Sequence, residues 1–131
     1  MAFKLTSRLA CDVTIITLSG RLELGPGPTT LRETLQDVAA RGSRKILLNL
    51  SGLSFIDTSG LGALASGHAR AQHEGTALKI TGLSKRAEQL FQMTGLRNIF
   101  DIYDDEVEAI HSWNVRKGGA PSYEVLRTRP G

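Results

Sequence analysis

The chain predicts an α/β fold, one domain on a mixed, mainly parallel sheet of four to five strands. Three observations carry this. Short apolar or β-branched runs alternate with segments of helical periodicity after an initial strand pair. Ile46-Leu47-Leu48-Asn49-Leu50 is almost wholly apolar, the mark of a central strand covered on both faces. The length of 131 residues suits one core and is too short for two.

Phe3, Leu5 and Leu9 alternate with Lys4, Thr6 and Arg8, as in a half-exposed strand. A tight connection at Ala10-Cys11-Asp12 leads into the β-branched run Val13-Thr14-Ile15-Ile16-Thr17-Leu18, and the two strands are expected to pair as a hairpin. Leu24-Gly25-Pro26-Gly27-Pro28 reads as a loop. A helix is then expected from the capping box Thr30-x-x-Glu33, burying Leu31, Leu35 and Val38 and stopping at Gly42. After the central strand a second helix runs to about Gly75, and Leu78-Lys79-Ile80-Thr81 forms a short strand. Ser84 caps a helix that turns Ala87, Leu90, Phe91 and Thr94 to one side and ends at Gly95. Ile99, Phe100 and Ile102 are expected in the last strand. Asp104-Asp105-Glu106 opens the final helix with the charge its N-terminus favours, and Val107, Ile110 and Trp113 are expected to face inward. The order β-β-α-β-α-β-α-β-α implies one antiparallel strand at or near a sheet edge.

The composition narrows the function. Aromatics make up 5%, too few for base-stacking platforms. No apolar run approaches the roughly 18 residues that span a bilayer, so no membrane insertion is expected. Met1-Ala2-Phe3-Lys4-Leu5-Thr6 lacks the layout of an export signal, and the single Cys11 cannot form an internal disulfide. Both point to the reducing cytoplasm. The net charge of +3 is not spread evenly. Residues 1–113 balance twelve Lys/Arg against twelve Asp/Glu, whereas 114–131 hold Arg116, Lys117, Arg127 and Arg129 against Glu124. A nucleic-acid reader places its charge on a structured face. Here the excess falls on a Gly/Pro-bearing stretch that reads as a flexible basic C-terminal tail, so no direct nucleic-acid binding is expected.

The densest chemical signal is Phe55-Ile56-Asp57-Thr58-Ser59-Gly60-Leu61-Gly62. Leu61, Leu64, Ala65 and His68 follow at helical spacing, so a helix begins here with Asp57 or Thr58 as its cap. Ser59 then lies in the first turn, its hydroxyl near solvent and near the positive end of the helix dipole. Capping alone accounts for Asp, Thr and Ser. It does not account for Gly60 and Gly62 in a helix interior, which together cost about 1.5–2 kcal/mol relative to alanine. Small residues retained at that cost suggest a docking face that a partner approaches closely.

Other chemistries fit poorly. Gly60-Leu61-Gly62-Ala63-Leu64-Ala65 matches a dinucleotide fingerprint in letters, but it lies ten residues beyond Leu50 and no acidic residue ends the next strand. A serine hydrolase would need Gly at position 57, and His68 and His73 lie two and four turns along the same helix from Ser59. His68 reads instead as a packed histidine of the inner stripe and His73 as a surface residue. One cysteine, three scattered histidines and no carboxylate pair at ligand spacing predict no metal site. No catalytic residue and no cofactor are expected.

The run Asn49-Leu50-Ser51-Gly52-Leu53-Ser54-Phe55-Ile56-Asp57-Thr58-Ser59-Gly60-Leu61-Gly62 resembles the core signature of STAS domains, in particular the bacterial anti-sigma factor antagonists. The likeness extends to residues 13–20 and to Leu90-Phe91-x-Met93-Thr94-Gly95-Leu96, and covers roughly residues 3–113. It implies a STAS-like domain at 1–113, with helices packed mainly on one side of the sheet and residues 114–131 outside it. It further implies an anti-sigma factor serine kinase as partner, release of a sigma factor, phosphorylation at Ser59 from ATP, and a serine phosphatase that reverses it. By the same correspondence Asp57 supports the hydroxyl, Thr58 is its unmodified neighbour, and the docking face comprises Glu23, Asp57, Thr58, Ser59, Gly60, Leu61 and Gly62. Relatives commonly carry Gly-x-Leu-Asp after the second strand, where this chain has Gly20-Arg21-Leu22-Glu23. The motif also occurs in constitutive interaction subunits of lipid-transport ATPases and stress-signalling scaffolds, which gives the alternative function.

Overall fold

The β-branched run of residues 13–18 is the middle of a longer strand, and the sheet grows outward from it. In the computed structural model, which describes residues 2–113, β1 (Lys4–Ala10) and β2 (Val13–Leu22) form an antiparallel hairpin. Then follow α1 (Pro26–Ala40), β3 (Lys45–Ile56), α2 (Thr58–His73), β4 (Ala77–Thr81), α3 (Lys85–Thr94), a short 3₁₀ turn (Leu96–Asn98), β5 (Asp101–Tyr103) and α4 (Glu106–Ser112). The five strands lie in the order β1-β2-β3-β4-β5, and every pair after the hairpin is parallel. The basic tail expected at 114–131 lies outside the described residues.

Strand alternation distributes the core. Ile16, Leu18 and Leu22 of β2, Ile46, Leu48 and Leu50 of β3, and Leu78 and Ile80 of β4 point to one face. They meet Leu31 and Leu35 of α1, Leu61 and Leu64 of α2, and Phe91 of α3. Val13, Ile15 and Leu47 point the other way, toward Ala109, Ile110 and Trp113 at α4. Three helices thus cover one face and a single short helix part of the other. That is the two-sided burial the apolar run in β3 predicts.

Local chemistry sets most boundaries. Ser84 accepts a hydrogen bond from the Ala87 N–H at 3.1 Å, and Gly95 ends α3 in the left-handed conformation at φ 79°. Asp105 caps α4 by accepting from the Glu108 N–H at 2.8 Å. Three expectations need correction. First, α1 starts at Pro26, not at the Thr30/Glu33 box, because proline brings a helical φ and no N–H to satisfy in the first turn. Second, β5 is Asp101–Tyr103. Ile99 is exposed after the 3₁₀ turn, and Phe100 points into the core against Phe91. Third, Val107 is 77% exposed. It stands about 160° around the helix from Ala109, which is the residue that meets the sheet.

His68 packs as expected, 8% exposed, its ring edge-on to Phe100 with centroids 4.7 Å apart. Burial draws its pKa below the ordinary 6.5, and nearby Asp101 opposes the shift. The unfolded chain therefore binds this proton more readily than the folded one. Stability is complete above pH 6.5 and is lost as pH falls through the depressed value. We expect the Tm to drop as the pH falls below about 6.5. His68→Leu should flatten that segment and leave the carboxylate-driven loss at lower pH. An unchanged profile in the variant would refute the assignment.

Candidate functional site

Between the end of β3 and the start of α2 stands a single residue, Asp57. Its extended backbone (φ −111°, ψ −173°) turns the chain, and its side chain joins two segments. Oδ1 accepts from the Gly60 N–H at 3.0 Å, capping α2, while Oδ2 accepts from the Leu24 N–H at 2.9 Å. The Asp57 N–H in turn donates to the Leu22 carbonyl at 3.2 Å. The Gly60 and then the Leu24 N–H hold the carboxyl below its ordinary pKa, with burial opposing. Of the two candidate caps, Asp57 serves. It makes no hydrogen bond to the Ser59 hydroxyl, so its expected support of that group is indirect. It fixes the helix start that carries Ser59 and the loop beside it.

The seven residues expected at the docking face divide in two. Thr58 and Gly62 are exposed, and Ser59, at the second position of α2, is half-buried, as are Asp57 and Glu23. Gly60 and Leu61 are buried, Leu61 to 4% exposure. A Cβ at Gly60 would lie 2.7 Å from the Leu22 carbonyl oxygen and 2.9 Å from Ile56 Cγ1, so this glycine lets α2 approach β2 and β3. A Cβ at Gly62 would meet nothing within 4 Å. The expectation that both glycines keep the surface low is corrected: only Gly62 faces open space.

Glu23 is held by Arg21 through two hydrogen bonds, from Nε at 3.0 Å and from a terminal nitrogen at 3.1 Å. The guanidinium lies 4.2 Å from the centre of the Phe55 ring. Leu24 went unassigned in the sequence. It is 83% exposed, yet its backbone is tied to Asp57, which places an apolar side chain on the loop anchored to the helix start of Ser59. An apolar residue opening a Gly/Pro loop was the available signal. Its proximity to α2 depends on a bond spanning 33 positions. Behind the face, Arg32 Nε–H donates to Ser66 Oγ at 3.2 Å, linking α1 to α2. Among the described residues no group of three or more His, Cys, Asp or Glu side chains could hold a metal ion.

A family model described as STAS domain matches residues 7–109. The chain belongs to the STAS domain family. It is 32% identical over 87 residues to the anti-sigma-B factor antagonist of Bacillus subtilis, covering 66% of this chain and 78% of that protein. It is 30% identical over 98 residues to the anti-sigma F factor antagonist of Paenibacillus polymyxa, covering 75% and 84% respectively. Among solved structures, the phosphorylated form of the Bacillus cell fate determinant SpoIIAA aligns with a TM-score of 0.65 at 24% identity, covering 86% of this chain and 99% of that one. That likeness concerns the fold.

The division of the glycines in this STAS domain is testable by denaturant unfolding. Gly62→Ala should stabilise by about 1 kcal/mol, because it removes a helix-interior glycine at no steric cost. Gly60→Ala should destabilise by roughly 1–3 kcal/mol, because the backbone carbonyl it meets cannot yield without moving β2. Equal effects would remove the distinction.

Proposed function

We propose that this STAS domain is an anti-sigma factor antagonist that docks on an anti-sigma factor serine kinase and is switched off by phosphorylation of Ser59. The observation that carries the reading is the position of Ser59. It is the second residue of α2, three positions before open Gly62 and two after Asp57, which anchors the Leu24 loop. The names of the Bacillus subtilis and Paenibacillus polymyxa relatives, and the phosphorylated form of SpoIIAA, support it. In this reading Thr58, Ser59, Gly62, Leu24, Asp57 and Glu23 form the contact face, and Gly60 and Leu61 act by placing α2. Release of the kinase from its sigma factor follows from occupancy of the same kinase by this chain.

In the transfer step the Ser59 oxygen attacks the γ-phosphorus of ATP. ADP departs, the hydroxyl proton passes to a base of the kinase, and a phosphoserine remains. A serine phosphatase returns the hydroxyl by hydrolysis, releasing inorganic phosphate. The phosphate adds nearly two negative charges. At a helix N-terminus the dipole favours such charge by about 0.3–1 kcal/mol, so the fold tolerates it. Moving a partner from mostly bound to mostly free takes about 5.5 kcal/mol. An unpaired dianion enclosed in an interface costs several kcal/mol, which makes exclusion from the interface the sufficient effect.

Incubation with ATP and a candidate kinase, followed by intact mass measurement and peptide mapping, should show one phosphate on Ser59. Ser59→Ala should bind the kinase and remain bound. Ser59→Asp should lose roughly 2–5 kcal/mol of binding with an unchanged Tm. Equal affinities for the two variants would defeat the switch. Stable association with a transport ATPase or scaffold, without phosphate, would instead establish a constitutive interaction subunit.

A further inference from the structure

Far from Ser59, on the face covered by α4, the sheet buries a lysine. Lys79 occupies the middle of β4, beside Leu47 of β3 and Asp101 of β5, and is 6% exposed. Its ammonium donates to Ser112 Oγ at 2.5 Å and to the Tyr103 hydroxyl at 3.4 Å. Two aromatic rings stand close to it, with the Trp113 ring centre at 4.5 Å and that of Tyr103 at 5.1 Å. The Ser112 hydroxyl hydrogen is already given to the Ala109 carbonyl at 2.6 Å. Among the described residues no carboxylate forms an ion pair with this ammonium. Asp101, its neighbour in register, lines the cleft beside His68, and Glu106 is engaged by Arg8 and Asn49.

A second donor is stranded in the same place. The Trp113 indole N–H is buried and has no acceptor among the described residues. Ring faces partly compensate a cation but accept poorly from an indole N–H, and a charge out of water needs a counter-charge. Two such donors side by side, with no anion among the described groups, describe a half-built site.

We propose that Lys79 and Trp113 form an oxyanion-accepting site beneath the C-terminal end of α4, one oxygen taking the ammonium and another the indole N–H. The ligand chemistry is that of a carboxylate or phosphate. It has two possible sources, a free anion or Glu124, the one acidic residue in 114–131.

The test uses the full chain and the indole N–H resonance of its single tryptophan. Sodium acetate and inorganic phosphate are titrated at constant ionic strength. For a free anion, the resonance moves downfield saturably. The apparent affinity falls about tenfold or more in Lys79→Met and is retained in Lys79→Arg. If Glu124 is the source, the resonance of the unsubstituted chain is already downfield and indifferent to acetate. Glu124→Gln then moves it upfield and makes it respond. A resonance that is the same in the unsubstituted chain, Glu124→Gln and Lys79→Met, with no saturable response, overturns the proposal. Thermal unfolding of each variant verifies that the comparison is made on folded protein.

Discussion

The carboxylate of Asp57 is shared between two segments that the chain itself keeps far apart, and the geometry around Ser59 depends on that sharing. One oxygen caps α2 through Gly60, the other holds the β2–α1 loop through Leu24. Capping by Asp contributes about 1 kcal/mol, and a hydrogen bond to a charged group about 1.5–3 kcal/mol. Those magnitudes are modest beside the core, so Asp57 does not hold the fold together. It selects, among arrangements the core would permit, the one in which a loop and a helix start share an edge. Its lowered pKa expresses the same fact, since both bonds favour the charged form.

The location follows from the sheet. β2 and β3 run parallel and end together at Leu22 and Ile56, so the segments that leave them emerge on the same rim. Open parallel sheets place their binding surfaces beyond the carboxyl ends of strands because helix starts and connecting loops gather there. Here the rim is tightened by Gly60 against Leu22, and two turns deeper by Gly67, where a Cβ would come 2.3 Å from Leu35 Cδ1. Small residues on the inner side of α2 bring it down onto β2 and α1. The small residue on the outer side has no such internal reason, which separates packing from recognition within one helix.

What the sequence disclosed was mostly local. The Ser84 cap, the Gly95 stop, the acidic opening of α4 and the two-sided strand at β3 each rest on neighbours within four positions or on strand periodicity. Ser59 at a helix start was legible for the same reason. The failures share the opposite cause. Val107 needed the angular position of Ala109 relative to the sheet, and Phe100 the presence of His68 and Phe91 across the core. Gly60 needed the backbone of β2, thirty-eight positions earlier. The first turn of α1 was hidden differently: Pro26-Gly27-Pro28 has loop composition, yet Gly27 is buried against Phe3.

The shared carboxylate also bears on why a charge at Ser59 should act outward rather than inward. The helix N-terminus attracts an anion through its free N–H groups, but the Gly60 N–H is already given to Asp57. A phosphate two residues along would find part of that field spent and a like charge nearby. Its favourable dipole interaction therefore falls toward the low end of the range, and repulsion from Asp57 offsets some of the remainder. With the two contributions close to cancelling at a solvent-facing edge, little free energy is left to move α2 or release the loop. The dianion then makes its largest difference where water is removed from it, against whatever surface closes over Leu24 and Gly62.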